Sequence, residues 1–149
     1  MTKIEPHPLT MDGKDVTNLR GDSISQERYY DSDFMKQEWE HLWTKIWHIA
    51  GREQQLQEAG DYIVHDFMRE SVIIIRQRDG SLRGFYNACG HRAARLVWEN
   101  SSQDSFFCPY HGWQWGLDGV LVACPDQDDF PQGDPVGKAT LVEVRVDTW

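Results

Sequence analysis

The 149-residue chain has no long apolar run, and nothing in it approaches the roughly 18 apolar residues of a membrane-spanning helix. Its N-terminus, MTKIEPHPLTMDGKD, lacks the basic start and apolar stretch of a secretory leader, so a cytoplasmic location is expected. Basic residues are also in short supply. Fifteen Lys and Arg stand against 24 Asp and Glu, a formal net charge of −9. Phosphate binding wants clustered cations, so a nucleic-acid partner is disfavoured. The negative surface reads instead as a solubility feature. Cysteine is scarce: Cys89, Cys108 and Cys124 are all there is. An odd, small number without an export signal does not make a disulfide framework. The chain has no low-complexity tract.

Apolar residues make up 40% and seven are tryptophan, enough for one packed core. Residues 1–28 are polar and aperiodic and read as an N-terminal arm. A helix is expected next, with Ser32 as its cap and Asp33 in the first turn. Met35, Trp39, Leu42, Trp43 and Ile46 recur every three or four residues, an apolar stripe expected to pack in a core. Beyond Ile46 the texture turns to short β segments: 62–67, 72–76 and, after the RDG turn at 78–80, LRGFYN. Phe106 and Phe107, then Trp113 to Trp115, flank a second turn. LDG at 117–119 leads into GVLVA, and the loop 125-PDQDDFPQGDP-135 precedes a last strand at 140–146. The expected fold class is mainly β: an antiparallel β domain with one N-terminal helix.

Two turns carry the chemistry. One reads 89-CGHRAARL-96 and the other 108-CPYHGWQW-115, and each offers one cysteine and one histidine. Cys89, His91, Cys108 and His111 are the candidate metal ligands. Cys124 has no histidine near it and reads as a buried small apolar residue. Two Cys/His pairs on similar turns are not readily dismissed as unrelated core residues. Structural zinc accepts two cysteines and two histidines, but its common fingers pair Cys with Cys and His with His. A 2Fe–2S cluster of the Rieske type puts two cysteines on one iron and two histidines on the other. A cluster clamped between two turns needs each turn to reach both irons, so the mixed pairs favour this reading.

The pattern C-x-H, sixteen residues, C-x-x-H, then GW resembles the Rieske domain of Rieske non-haem iron oxygenases, the aromatic-ring-hydroxylating class. The likeness runs from about Tyr29 to the end, because 33-DFMKQEWEHLWTKIW-47 and 60-GDYIVHDF-67 look like the lead-in of oxygenase large subunits. It implies a Rieske-type antiparallel β-sandwich domain over 29–149, with a cluster-binding subdomain at about 86–125. Small Rieske ferredoxins usually lack that lead-in; a free-standing electron carrier is the alternative reading. Two departures stand out. The family often has glycine where Ala93 stands, and a β-carbon there is costly if φ is positive. The extra cysteines and the serine of respiratory Rieske proteins are replaced by Ala94, Tyr110 and Trp113.

The resemblance implies further roles. Gly90 and Gly112 would permit tight turns, Pro109 would stiffen the second, and Tyr110, Trp113 and Trp115 would shield the cluster. Arg92 and Arg95 would face a redox partner or water. Oxygen activation in the family happens at a separate mononuclear Fe(II) held by two histidines and a carboxylate. His7, His41, His48 and His65 do not form the corresponding Asp/Glu-x-x-His-x-x-x-x-His arrangement, and His41 and His48 read as surface residues. No catalytic residue is therefore expected in this chain, which reads as the electron-transfer portion of a longer oxygenase. The implied partners are a ferredoxin or flavin-dependent reductase and further copies of the full subunit, as a trimer.

Overall fold

A computed structural model describes residues 23–125 and 127–149, together with the backbone of residues 10–11 and 14–15. Most of the expected arm, His7 included, lies outside the described residues. The chain divides into two compact units, residues 1–47 and 48–149.

In the first unit, β1 (Thr10–Met11) pairs antiparallel with β2 (Lys14–Asp15). A 3-10 turn follows at Gln26–Tyr29, then α1 at Ser32–Glu38, which runs on into a wider π turn at Trp39–Trp43. The cap is Asp31, not Ser32. The Asp31 carboxylate accepts from the backbone N–H groups of Asp33 (2.7 Å) and Phe34 (3.2 Å), while Ser32 is already helical. An ionised carboxylate is the stronger partner for the exposed N–H groups and the positive helix end. The apolar stripe also departs from expectation. None of its residues is buried, Ile46 falls beyond the last turn, and Met35 and Leu42 are each about two-fifths exposed. Trp39 and Trp43 are half-buried.

In the second unit, β3 (Asp61–Phe67), β4 (Glu70–Arg76) and β5 (Leu82–Tyr86) form an antiparallel meander. The edges are β6 (Ser101–Ser102) beside β3 and β10 (Glu143–Val144) beside β5. A second sheet of three antiparallel strands contains β7 (Ser105–Phe107), β8 (Gln114–Gly116) and β9 (Leu121–Ala123). The mainly β, antiparallel fold with a single twelve-residue helical run matches the expectation.

The β4 run ESVIIIR is apolar without alternation because both of its faces are covered. Ile73 and Ile75, fully buried, enter the main core with Phe85, Phe106, Trp115 and Leu121, so both sheets share it. Ile74 points the other way, into a smaller cluster with Leu56 and Ile63. Cys89 and Cys108 belong to the main core. The last strand is shorter than expected. Only Glu143 and Val144 pair with β5, while Thr140 makes an isolated bridge to Val120. No described helix is long and apolar enough to cross a membrane.

Candidate metal centre

The two candidate turns are built alike. In the first, between β5 and β6, Cys89 N donates to Ala94 O and Ala93 N donates to Cys89 O, both at 2.8 Å. In the second, between β7 and β8, Cys108 N donates to Trp113 O (2.7 Å) and Gly112 N to Cys108 O (3.0 Å). In each, the fourth residue after the cysteine is left-handed: Ala93 with φ 55° and Gly112 with φ 72°. Glycine takes that conformation freely and alanine does not. Gly90 works differently. Its φ is not positive, but a β-carbon there would lie 2.9 Å from Cη2 of Trp115, so the position is kept small by packing.

The turns bring the candidate ligands together in pairs, thiol beside thiol and imidazole beside imidazole. Both thiols are buried and free, Cys89 3% and Cys108 1% exposed. The rings of His91 and His111 meet edge to face with centroids 4.7 Å apart. His91 is half-buried and stacks on Trp113 (4.7 Å, planes 5° apart), whereas His111 is exposed and lies against Tyr110, centroids 3.8 Å apart. An open cleft of about 330 Å³ runs along the two histidines, bounded by Trp113, Pro125, Asp129 and Phe130. Trp113 and Trp115 are buried, as shielding residues should be; Tyr110 is 62% exposed and covers only the His111 ring.

The electrostatics of two of these residues follow from their burial. Burial pushes the Cys89 thiol above its ordinary range, while the backbone N–H of His91 pulls it back toward the thiolate. The adjoining Cys108 thiol adds to the rise, and the Trp115 indole favours the thiolate. Burial, then the neighbouring His111 ring and Arg92, hold His91 below the usual histidine value, so its imidazole is neutral at pH 7. His91 Nδ1 is buried and has no hydrogen-bond partner. A buried, unsatisfied ring nitrogen is costly unless something outside the protein chain fills its lone pair. Among the described residues no three His, Cys, Asp or Glu converge on one point as a single metal ion requires. Four ligands shared two and two between a pair of irons need no such convergence.

A second set of residues shapes the first turn. Asn87, 3% exposed, uses its whole amide. Nδ2 donates to Val97 O (2.6 Å) and Ser71 Oγ (3.0 Å), and Oδ1 accepts from Leu96 N (3.1 Å) and Val97 N (3.0 Å). Buried Gln77 ties the β4–β5 hairpin to the turn after β8 through Leu117 O (2.7 Å). In sequence both look like turn residues, and no local signal marks them as anchors. Arg95 does not face outward freely; it donates to Asp66 Oδ2 (2.9 Å) and Val97 O (2.8 Å), whereas Arg92 is exposed. Cys124 is half-buried against the core rather than buried. His41 is exposed as expected, but His48 is half-buried, its ring edge on Phe67 at 4.4 Å.

Comparison with known proteins agrees with this geometry. The family model described as the Rieske [2Fe-2S] domain matches residues 46–142. The oxygenase subunit of carnitine monooxygenase from Escherichia coli (strain K12) is 34% identical over 128 residues, 85% of this chain and 34% of its own. The alpha subunit of biphenyl 2,3-dioxygenase from Rhodococcus jostii (strain RHA1) is 31% identical over 146 residues, 97% of this chain and 32% of its own. Among solved structures, a quaternary ammonium Rieske monooxygenase described for carnitine oxidation and inter-subunit electron transfer superposes with a TM-score of 0.75. It is 30% identical, and the match covers 81% of this chain and 33% of that one. The chain thus spans about a third of the length of these relatives. On the family match, these identities and the paired Cys/His turns, the chain belongs to the Rieske [2Fe-2S] domain family.

Proposed function

We propose that Cys89 and Cys108 hold one iron and His91 and His111 the other iron of a 2Fe–2S cluster, and that the domain passes single electrons within a Rieske oxygenase. The observation that carries this reading is the buried, unpartnered Nδ1 of His91 beside a second imidazole and two buried thiols. When bound, such a cluster accepts one electron and passes it on, at a potential above that of all-cysteine clusters. The chain's own residues do the rest. Trp113 and Trp115 keep water from the cysteine side, while the exposed ring of His111 offers the shortest way in or out. Asn87 holds the first turn in shape.

In the full protein, the electron would come from a ferredoxin or flavin-dependent reductase. It would go to a mononuclear Fe(II) in a catalytic part beyond these residues, which activates O₂ to hydroxylate or demethylate a small substrate. The relatives named for oxygenase subunits support this placement over a free-standing carrier. The carnitine and biphenyl enzymes resemble these residues about equally, so the substrate is selected elsewhere in such a protein. A cytoplasmic homo-oligomer, a trimer as in the resemblance, completes the proposal.

The test is metal and spectroscopic analysis of the purified protein. Two irons and two acid-labile sulfides, with a rhombic EPR signal on reduction, are expected. Cys89→Ser and His111→Ala should each lose the cluster. Stoichiometric zinc with no visible absorption would sink the reading.

A further inference from the structure

Outside the paired turns, His48 and His65 form a second pair of imidazoles. His65 lies on β3, where alternate residues face the same way, so Ile63, His65 and Phe67 share one face of the sheet. Ile63 packs in the smaller apolar cluster, on the side away from the main core that contains Cys89 and Cys108. The His65 and Phe67 rings are nearly parallel, with centroids 6.3 Å apart and planes 6° apart. His48, on the segment before β3, completes a triangle of rings. Its centroid is 4.4 Å from that of Phe67 and 6.0 Å from that of His65. Both histidines are half-buried. Aromatic packing does not account for them, because His65 Nε2 is buried with no hydrogen-bond partner. A phenyl ring would fill the same space without that penalty.

We propose that His65 Nε2 and one ring nitrogen of His48 hold a divalent zinc, copper or nickel ion, at a site separate from the paired turns. Late first-row cations of this kind favour imidazole. A cation held by one nitrogen of each ring at the usual distance of about 2.0–2.1 Å sets the ring centres about 5–6 Å apart. The observed 6.0 Å lies at the upper end of that range. Burial and the nearby His48 ring hold His65 below the usual histidine value, so its ring is neutral at pH 7 and keeps a lone pair. A ligating imidazole gives the cation one nitrogen and can keep a protein partner on the other, so His48 has to supply only one. Among the described residues no third His, Cys, Asp or Glu converges here, so water fills the remaining positions. With one ligand on β3 and one on the segment before it, the cation braces that segment against the sheet.

The inference does not rest on the cluster, but the test uses the full protein with its cluster loaded, and Zn²⁺ as the probe. Competition against a chromophoric chelator should reveal a zinc whose affinity falls in His48→Phe and in His65→Phe. Loss of an outer partner of a metal ligand already costs about 10–100-fold, so loss of the ligand itself should cost at least about tenfold. Zinc affinity unchanged in both variants overturns the site. A second measurement needs no variant to fold. Crystals of the parent protein soaked in Zn²⁺ and measured on either side of the zinc absorption edge should place zinc between the His48 and His65 rings, because iron scatters alike on both sides. Zinc found only at the paired turns, only at other residues, or nowhere overturns the proposal.

Discussion

Replacing Asn87 by alanine should destabilise the domain severely, although Asn87 touches no candidate ligand. The Asn87 side chain makes four hydrogen bonds, and their loss is unequal. Val97 O keeps a donor in Arg95 Nε, and Ser71 Oγ is only part-buried and can turn to water. The N–H groups of Leu96 and Val97 have no such recourse, since these residues are 4% and 8% exposed. Each buried donor left unmade costs about 1–3 kcal/mol, so Asn87→Ala should cost about 2–6 kcal/mol. That is a large part of the roughly 5–15 kcal/mol that holds a domain folded. Ser71→Ala is the control. It removes one partner at the edge of the network and should cost about 0.5–1.5 kcal/mol. Urea unfolding followed by far-UV circular dichroism gives both numbers from the midpoints, provided the slopes agree. An Asn87→Ala variant within about 1 kcal/mol of the parent would refute the view that Asn87 anchors the first turn.

Two further outcomes follow from backbone strain and from burial. Ala93→Gly relieves a left-handed alanine but adds freedom to the unfolded chain, so a net gain of about 0–1 kcal/mol is expected, while Ala93→Val should lose more than it gains; a valine variant as stable as the parent in the same denaturation assay would contradict the positive φ. His65 has its pKa lowered from 6.5, by burial first and then by the nearby His48, and its Nε2 is buried without a partner. A histidine depressed in the fold takes up its proton more readily when unfolded, so its contribution is whole above 6.5 and falls as pH drops toward the folded value. Unfolding midpoints from pH 7.5 to 5.5 should decline, and His65→Phe should flatten that decline; equal slopes in both proteins would rule the effect out.

Much of the sheet can be read from the sequence because its signals are local. The RDG and LDG turns stand where hairpins form, with Gly80 and Gly119 left-handed, and the β-branched run at 72–76 becomes β4. The β3–β4 turn gives no such signal. It is made by Met68, a non-glycine residue at φ 52°, and its stability comes from six paired residues on either side rather than from turn chemistry. The helical stripe misleads for a related reason. Periodicity records which face is apolar but not whether it is covered, and here none of the helical residues is buried. The candidate ligands are legible because cysteine and histidine at short spacing have few other uses. Asn87 is not legible, since its role depends on partners that only the folded turns bring near, Leu96, Val97 and Ser71.

The two turns also explain why one motif has a single residue between cysteine and histidine and the other has two. Both close through the same pair of bonds, from the cysteine N–H to the fifth residue's carbonyl and from the fourth residue's N–H back to the cysteine carbonyl. The loop length is therefore fixed, and the histidine's place within it is the variable. At the second position His91 stays half-buried, stacked on Trp113, with Nδ1 turned inward. At the third position His111 sits next to the left-handed Gly112 and is exposed. A one-residue step along an otherwise identical turn thus gives two imidazoles that meet at 4.7 Å but differ in access to solvent. If both histidines followed their cysteines at the same distance, the rings would occupy equivalent places on the two turns. The unequal spacing leaves one ring half-buried against Trp113 and the other open to solvent.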